Sequence, residues 1–266
     1  MIEQKTITYR NYTLHYSVSG SGTPLILIHG FGENSQIWKT WTHALSQSYR
    51  VITPDLPGSG RSDLIIDNEE GLESYTDAIR CLTESENIDR CIMAGHSMGG
   101  YITLNFAEKY PNRLKGLCLI HSTCYADNDI KKETRQKSVA FIKNNGSKEF
   151  LKTSIPGLFH KPERHAAHIQ DILKQNEGIN PESMIQYQEA MMKRPDRSHV
   201  LKESAVPVFF QSGRYDQAVP FESSLSQCYL PAVSEIQILR SCAHMGMIEA
   251  PEESLQGVSS YLSHIC

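Results

Sequence analysis

The chain has no apolar run approaching the roughly 18 residues that cross a bilayer as a helix, and its mean hydropathy is −0.38. It has no basic surplus: 26 Lys and Arg stand against 30 Asp and Glu, for a net charge of −4. Nucleic-acid binders normally show a marked excess of positive charge, so that class of partner is not expected. No apolar stretch follows Met1-Ile2-Glu3-Gln4-Lys5, which argues against a secretory signal. Paired cysteine motifs are missing too. The seven cysteines, at 81, 91, 118, 124, 228, 242 and 266, form no Cys-x-x-Cys and are odd in number. That pattern suits neither a disulfide framework nor a zinc site. They read as small buried hydrophobes in a reducing compartment. The expectation is a cytoplasmic protein with no membrane partner, no cofactor and no metal.

What the chain does have is enough apolar material for a large core: 39% hydrophobic residues over 266. That length could hold two average domains, but α/β folds often use it for one. Residues 3–9 and 12–18 alternate like strands around Arg10-Asn11, which predicts an antiparallel hairpin. Leu25–Ile28 is apolar at every position, the mark of a strand buried on both faces. Similar runs recur at Arg50–Thr53, Cys91–Ala94, Leu117–Ile120, Val206–Phe210 and Ile236–Leu239. Helix-length stretches such as Gly71–Ser85 and Met98–Tyr110 lie between them. This alternation predicts an α/β fold with a doubly wound, mostly parallel sheet. From about Thr123 to Glu203 no strand is evident, only helical blocks punctuated by Gly and Pro. Residues 123–203 are therefore expected to form a helical lid inserted before the last two strands. The core would be 1–122 and 204–266.

The strongest local signal is Gly95-His96-Ser97-Met98-Gly99-Gly100, directly after the Cys91–Ala94 strand and at the start of a helix. A sharp strand-to-helix turn lifts such a serine hydroxyl above the sheet, at the positive end of the helix. The plain alternative is a serine that merely caps the helix. A serine needs a base and an oxyanion site to act as a nucleophile. His29-Gly30-Phe31-Gly32 ends the Leu25–Ile28 strand, where glycines allow close backbone approach. The amides of Phe31 and Met98 are the expected oxyanion donors, and His29 is expected to be a structural hydrogen-bonder.

With these motifs the chain resembles the α/β-hydrolases, in their large Ser-His-Asp branch of esterases, lactonases and meta-cleavage hydrolases. Further segments that carry the resemblance are Pro54–Ser62, Ser212-Gly213-Arg214-Tyr215-Asp216 and Ala243-His244-Met245, and it extends over nearly the whole chain. It implies Ser97 as nucleophile, Asp216 as the acid and His244 as the base. Both Asp216 and His244 also follow apolar strands, which would place them at the same sheet edge as Ser97. Asp127, soon after the Leu117–His121 strand, is a rival acid. His121 ends a strand but comes too early for the base, and reads as a pocket or structural residue.

Other features carry plainer readings. His160, His165 and His168 lie close in sequence but lack an acidic fourth ligand, so they read as a solvated helix face. Gly20-Ser21-Gly22 has no following Lys-Ser/Thr and is a turn. Phe141, Leu158, Phe159, Met184, Tyr187 and Met191 are expected to form mostly the lid's own core, with a subset roofing the substrate pocket. Which residues bind substrate is not legible.

Three functions compete. A serine hydrolase would cleave a small carboxylic ester or lactone through an acyl-enzyme on Ser97. A carbon–carbon bond hydrolase would act on β-diketone-like ring-fission products with the same triad. A small-molecule receptor would keep the fold with little turnover. An Asp in place of Ser97 would have pointed to epoxide hydrolase or dehalogenase chemistry. Charge adds one more hint. Residues 131–202 hold 14 basic and 8 acidic side chains, a net of +6, which leaves −10 on the rest of the chain. This split reads either as ordinary surface chemistry or as steering of an anionic substrate.

Overall fold

The computed structural model describes residues 2–66 and 70–265. Cys266 and Met1, both named above, lie outside the described residues. The strands are β1 (Ile2–Tyr9), β2 (Tyr12–Ser19), β3 (Thr23–Ile28), β4 (Tyr49–Pro54), β5 (Cys91–His96), β6 (Leu114–Ile120), β7 (Val208–Gly213) and β8 (Ser234–Leu239). The helices are α1 (Lys39–Leu45), α2 (Leu72–Ser85), α3 (Met98–Lys109), α4 (Asp129–Ser154), α5 (Ala166–Gln175), α6 (Pro181–Lys193), α7 (Ser198–Lys202), α8 (Phe221–Gln227), α9 (Gly246–Glu249) and α10 (Pro251–Ile265). The strands form one sheet in the order β1-β2-β4-β3-β5-β6-β7-β8. The β1–β2 and β2–β4 pairs are antiparallel, and all pairs from β4–β3 onward are parallel.

The apolar runs divide between the two faces by simple alternation. Ile26, Ile28, Met93, Leu117, Leu119 and Phe210 join one core cluster with residues of α2 and α3. Leu25, Leu27, Ile92, Ala94, Cys118, Ile120 and Phe209 join a second cluster with residues of α1 and α10. A strand that must satisfy both clusters cannot alternate with polar residues, which is why the central strands read as unbroken apolar runs. The hairpin and the central strands stand where the sequence places them. The run at Val206–Phe210 is shifted, because the ladder begins only at Val208 and runs on through Gln211-Ser212-Gly213. Gln211 is polar yet fully buried, since its amide bonds Gln237 and the Ser254 carbonyl.

Helices α4 to α7 lie between β6 and β7, as the long strandless interval predicts. Their apolar side chains do not close on a core of their own. Tyr187, Ala190, Met191 and Leu201 belong to the α2–α3 cluster, while Ile142, Phe150, Leu151, Ile155 and Met184 belong to the α1–α10 cluster. The expectation of a mostly self-contained set is corrected here for Tyr187, whose hydroxyl donates to the Pro57 carbonyl at 2.7 Å. It is corrected for Phe141 too, which is 37% exposed. The histidine trio also differs from a plain helix face. His160 precedes the helix and stacks on Tyr215 at 3.7 Å, and His165 stacks on Phe159 at 5.5 Å. Among the described cysteines, five are buried and Cys81 is half-buried, and all are free. No helix among the described residues is long and apolar enough to cross a membrane.

Candidate active site

Parallel pairing puts the carboxyl ends of β3, β5, β6, β7 and β8 along one edge of the sheet. Ser97 follows β5 there with φ 51° and ψ −115°, a left-handed φ that a non-glycine residue adopts only under strain. Three bonds hold it in place: its N–H to the Ile120 carbonyl at 3.0 Å, and its carbonyl to Gly100 N–H at 3.0 Å and Ser122 Oγ at 2.7 Å. Gly99 makes the turn possible, because a Cβ there would collide with the carbonyls of Ile28 and His29. Met98 opens α3, so its N–H has no partner within the helix. Phe31 follows β3 on the facing loop, between the lid side chains Phe150 at 6.0 Å and Tyr187 at 6.4 Å. His29 donates from Nδ1 to the Gly30 carbonyl at 2.8 Å and accepts Leu56 N–H on Nε2 at 3.0 Å. Both ring nitrogens are occupied, so His29 is a structural hydrogen-bonder. Burial pulls its pKa below the usual imidazole value.

Asp216 and His244 are both buried and meet at 2.8 Å, Oδ2 to Nδ1. The other oxygen of Asp216 accepts Ala218 N–H at 2.9 Å and Val219 N–H at 2.8 Å. Burial alone would raise this carboxyl's pKa, but the neighbouring His244 and His121 rings hold it well below the usual carboxylate range. With Nδ1 engaged on the carboxylate, Nε2 of His244 is the nitrogen left to exchange a proton. Glu249 fastens the His244 loop by accepting Ala243 N–H at 2.9 Å and Met245 N–H at 3.2 Å. The helical insertion holds it from above, where Leu158 accepts His244 N–H at 2.9 Å.

Two residues stand closer to this centre than the sequence indicates. His121 Nδ1 lies 3.4 Å from Asp216 Oδ2, and its fully buried ring has a pKa lowered by burial to about 4. His96, the variable residue inside the Gly-x-Ser-x-Gly turn, packs its ring 4.9 Å from that of His244. It also meets the buried carboxylate of Glu33 at 3.0 Å. A histidine beside the serine and an acid four residues after His29 were the available signals, but nothing local links positions 63 apart in the chain. The rival acid is placed elsewhere. Asp127 is gripped by Arg135 at 2.6 Å and Arg194 at 2.9 Å, with no histidine on it. His121, Asp216 and His244 are also the described donors close enough to share a metal ion.

The site thus joins a strained serine after a central strand to a buried Asp–His pair on the same sheet edge. A family model described as the alpha/beta hydrolase fold matches residues 23–145. The chain has the α/β-hydrolase fold. A thermophilic esterase from Thermogutta terrifontis superposes with a TM-score of 0.92 at 26% identity, covering 99% of both chains. The 2-hydroxy-6-oxo-6-phenylhexa-2,4-dienoate hydrolase of Comamonas testosteroni is 25% identical over 91% of this chain and 88% of its own length. The dihydrolipoyllysine-residue acetyltransferase component of the acetoin cleaving system of Pseudomonas putida is 30% identical over 91% of this chain. The chain spans 64% of that longer relative. Likeness on this fold thus reaches proteins of differing activity, and the choice among them rests on the site.

Proposed function

We propose that the chain is a serine hydrolase that cleaves small carboxylic esters or lactones. The observation that carries this reading is the buried 2.8 Å contact between Asp216 and His244 at the sheet edge where Ser97 makes its left-handed turn. In the proposed reaction Ser97 Oγ attacks the carbonyl carbon while its proton passes to His244 Nε2. The carbonyl oxygen becomes an oxyanion held by the amides of Phe31 and Met98. Asp216 keeps the ring in the Nδ1–H tautomer and stabilises the imidazolium. His244 then returns the proton to the departing alcohol, and the acyl group stays on Ser97. A water molecule, deprotonated by the same imidazole, releases the acid. The helical insertion acts as a lid, with Phe150 and Tyr187 beside Phe31 forming an apolar roof.

The test is reaction with a serine-directed fluorophosphonate and turnover of short p-nitrophenyl esters. Label is expected on Ser97 alone, and Ser97→Ala is expected to lower kcat by about 10⁶-fold with the fold intact. Label on another residue with Ser97 untouched would overturn the assignment. Similarity to the Comamonas testosteroni dienoate hydrolase favours carbon–carbon bond cleavage as the second reading. Faster turnover of a ring-fission dienoate than of any ester would establish it.

A further inference from the structure

Glu33 and His96 are 2% and 0% exposed, and the acyl-transfer steps above use neither. Both nitrogens of the His96 ring face groups that accept hydrogen bonds. Nδ1 lies 3.0 Å from the Glu33 carboxylate, and Nε2 lies 3.0 Å from the His244 carbonyl oxygen. A neutral imidazole has a single N–H to offer, whereas these two acceptors ask for two. An imidazolium facing the Glu33 carboxylate meets both demands. Burial works against charge on either group, yet each partner's charge prevails: Glu33 holds the His96 pKa above its ordinary value, and His96 holds that of Glu33 below its own.

The pair also reaches further. Glu33 Oε2 accepts Gly30 N–H at 2.7 Å. One continuous chain of bonds thus runs from Gly30 through Glu33 and His96 to His244. Its members sit on the loop of the Phe31 amide, on the turn of Ser97 and on the loop of the base. The packing is tight at the junction. A Cβ on Gly30 would stand 3.0 Å from His96 Nδ1, 3.1 Å from Glu33 Oε2 and 3.2 Å from Ser97 Cβ. Those are tighter than most real Cβ contacts, so a larger residue at Gly30 would press on the ion pair and the serine by a few tenths of an ångström. Trp38 covers the His96 ring edge-on at 6.4 Å.

We propose that Glu33 and His96 are positioning residues, a buried ion pair that sets the Phe31 amide and the His244 loop in register with Ser97. The role rests on the serine-hydrolase reading, and it requires the charges of the pair as well as its hydrogen bonds, because hydrogen bonds between ionised partners are stronger than neutral ones. The test compares the unsubstituted chain with Glu33→Gln, His96→Gln and the double variant. Fluorophosphonate labelling, kcat and KM on p-nitrophenyl acetate, and Tm are measured for each. Either single variant is expected to lose about 10- to 100-fold in kcat, with KM changed by less than about threefold. The double variant removes both charges and can share a neutral amide hydrogen bond. It is expected to regain most of the lost Tm while kcat stays at least about tenfold down. Recovery of kcat together with Tm would overturn the proposal and leave a purely structural pair. Should the variants not fold, ¹⁵N-imidazole NMR of the unsubstituted chain carries the test. Two ring N–H signals for His96 at neutral pH support the ion pair, and a single one overturns it. Absence of label on Ser97 in the unsubstituted chain would overturn the serine-hydrolase reading, and the positioning role with it.

Discussion

Two buried aspartates lie past the ends of neighbouring strands, and their surroundings could hardly differ more. Asp216, after β7, faces the imidazoles of His244 and His121. Asp127, after β6, faces the guanidinium groups of Arg135 and Arg194, and Arg194 in turn lies over the Tyr101 ring at 3.9 Å. Both carboxyls have their pKa pulled below the ordinary value by cationic or hydrogen-bonding partners that outweigh burial. The consequences diverge because the partners do. An imidazole can give up and regain a proton near neutral pH, whereas a guanidinium does not. The first environment can take part in proton transfer; the second can only hold structure. Burial and a depressed pKa therefore do not by themselves mark a reacting group, and the nature of the partner decides.

The largest effect that would break this contrast is expected at Asp216. Asp216→Asn should lower kcat by about 10⁴-fold with little change in Tm, since the amide favours the wrong tautomer of His244. Steady-state ester kinetics check it, and near-normal turnover would remove Asp216 from the proposed triad. The opposite pattern is expected next door. Asp127→Asn should leave kcat within about threefold but destabilise the chain by about 3–5 kcal/mol, because the buried Arg194 would lose the carboxylate that balances its charge. Urea unfolding with parallel assays separates the two outcomes, and a dead but stable variant would make Asp127 the acid.

A subtler difference is expected from His121. Its folded-state pKa is depressed to about 4, while the unfolded chain titrates near the reference imidazole value of about 6.5. Between those two values the unfolded state binds the extra proton and the folded state does not. Its contribution to stability is then complete above about pH 6.5 and is lost as pH falls toward about 4. His121→Asn should flatten the stability–pH curve in that window relative to the unsubstituted chain, as measured by Tm at intervals of half a pH unit. Parallel curves would show that His121 is not the group responsible.

The smallest effect concerns the charge of the insertion. Arg135 and Arg194 are spent on Asp127, and Arg197 on Glu108 and Glu73, so three of its cations answer acids outside residues 131–202. A carboxylate-bearing ester is accordingly expected to differ from its neutral isostere by less than about threefold in kcat/KM. Raising ionic strength from 0.1 M to 1 M, which shortens the Debye length from about 10 Å to about 3 Å, should change that ratio little. A large anionic preference that collapses with salt would restore the steering idea.

What could be read from the sequence follows the same divide between local and distant causes. Ser97, Asp216 and His244 each end or follow an apolar strand within a short motif, so neighbours in sequence single them out as candidates. The lid interval is visible because a long stretch lacks any strand. The short α1 and the C-terminal α10 are not legible in the same way, since no single motif marks them and their burial depends on Trp41 and Tyr261 packing against the sheet. His121 looked like a pocket or structural residue because its contact with Asp216 depends on β6 and β7 lying side by side. The Glu33–His96 pair was illegible for the same reason: charge pairing across 63 positions has no sequence signature.

The split allegiance of the inserted helices bears on protein engineering. Exchanging lids between related enzymes is an attractive route to new specificity if the lid is a self-contained cartridge. Here the helices contribute to the clusters on both faces of the sheet, and a backbone carbonyl from the insertion, that of Leu158, holds the amide of His244. A transplanted lid would therefore carry away part of two cores and one support of the base. Chimeras of this chain should be cut so that Tyr187 and Leu158 travel with their native partners in the loops after β4 and β8.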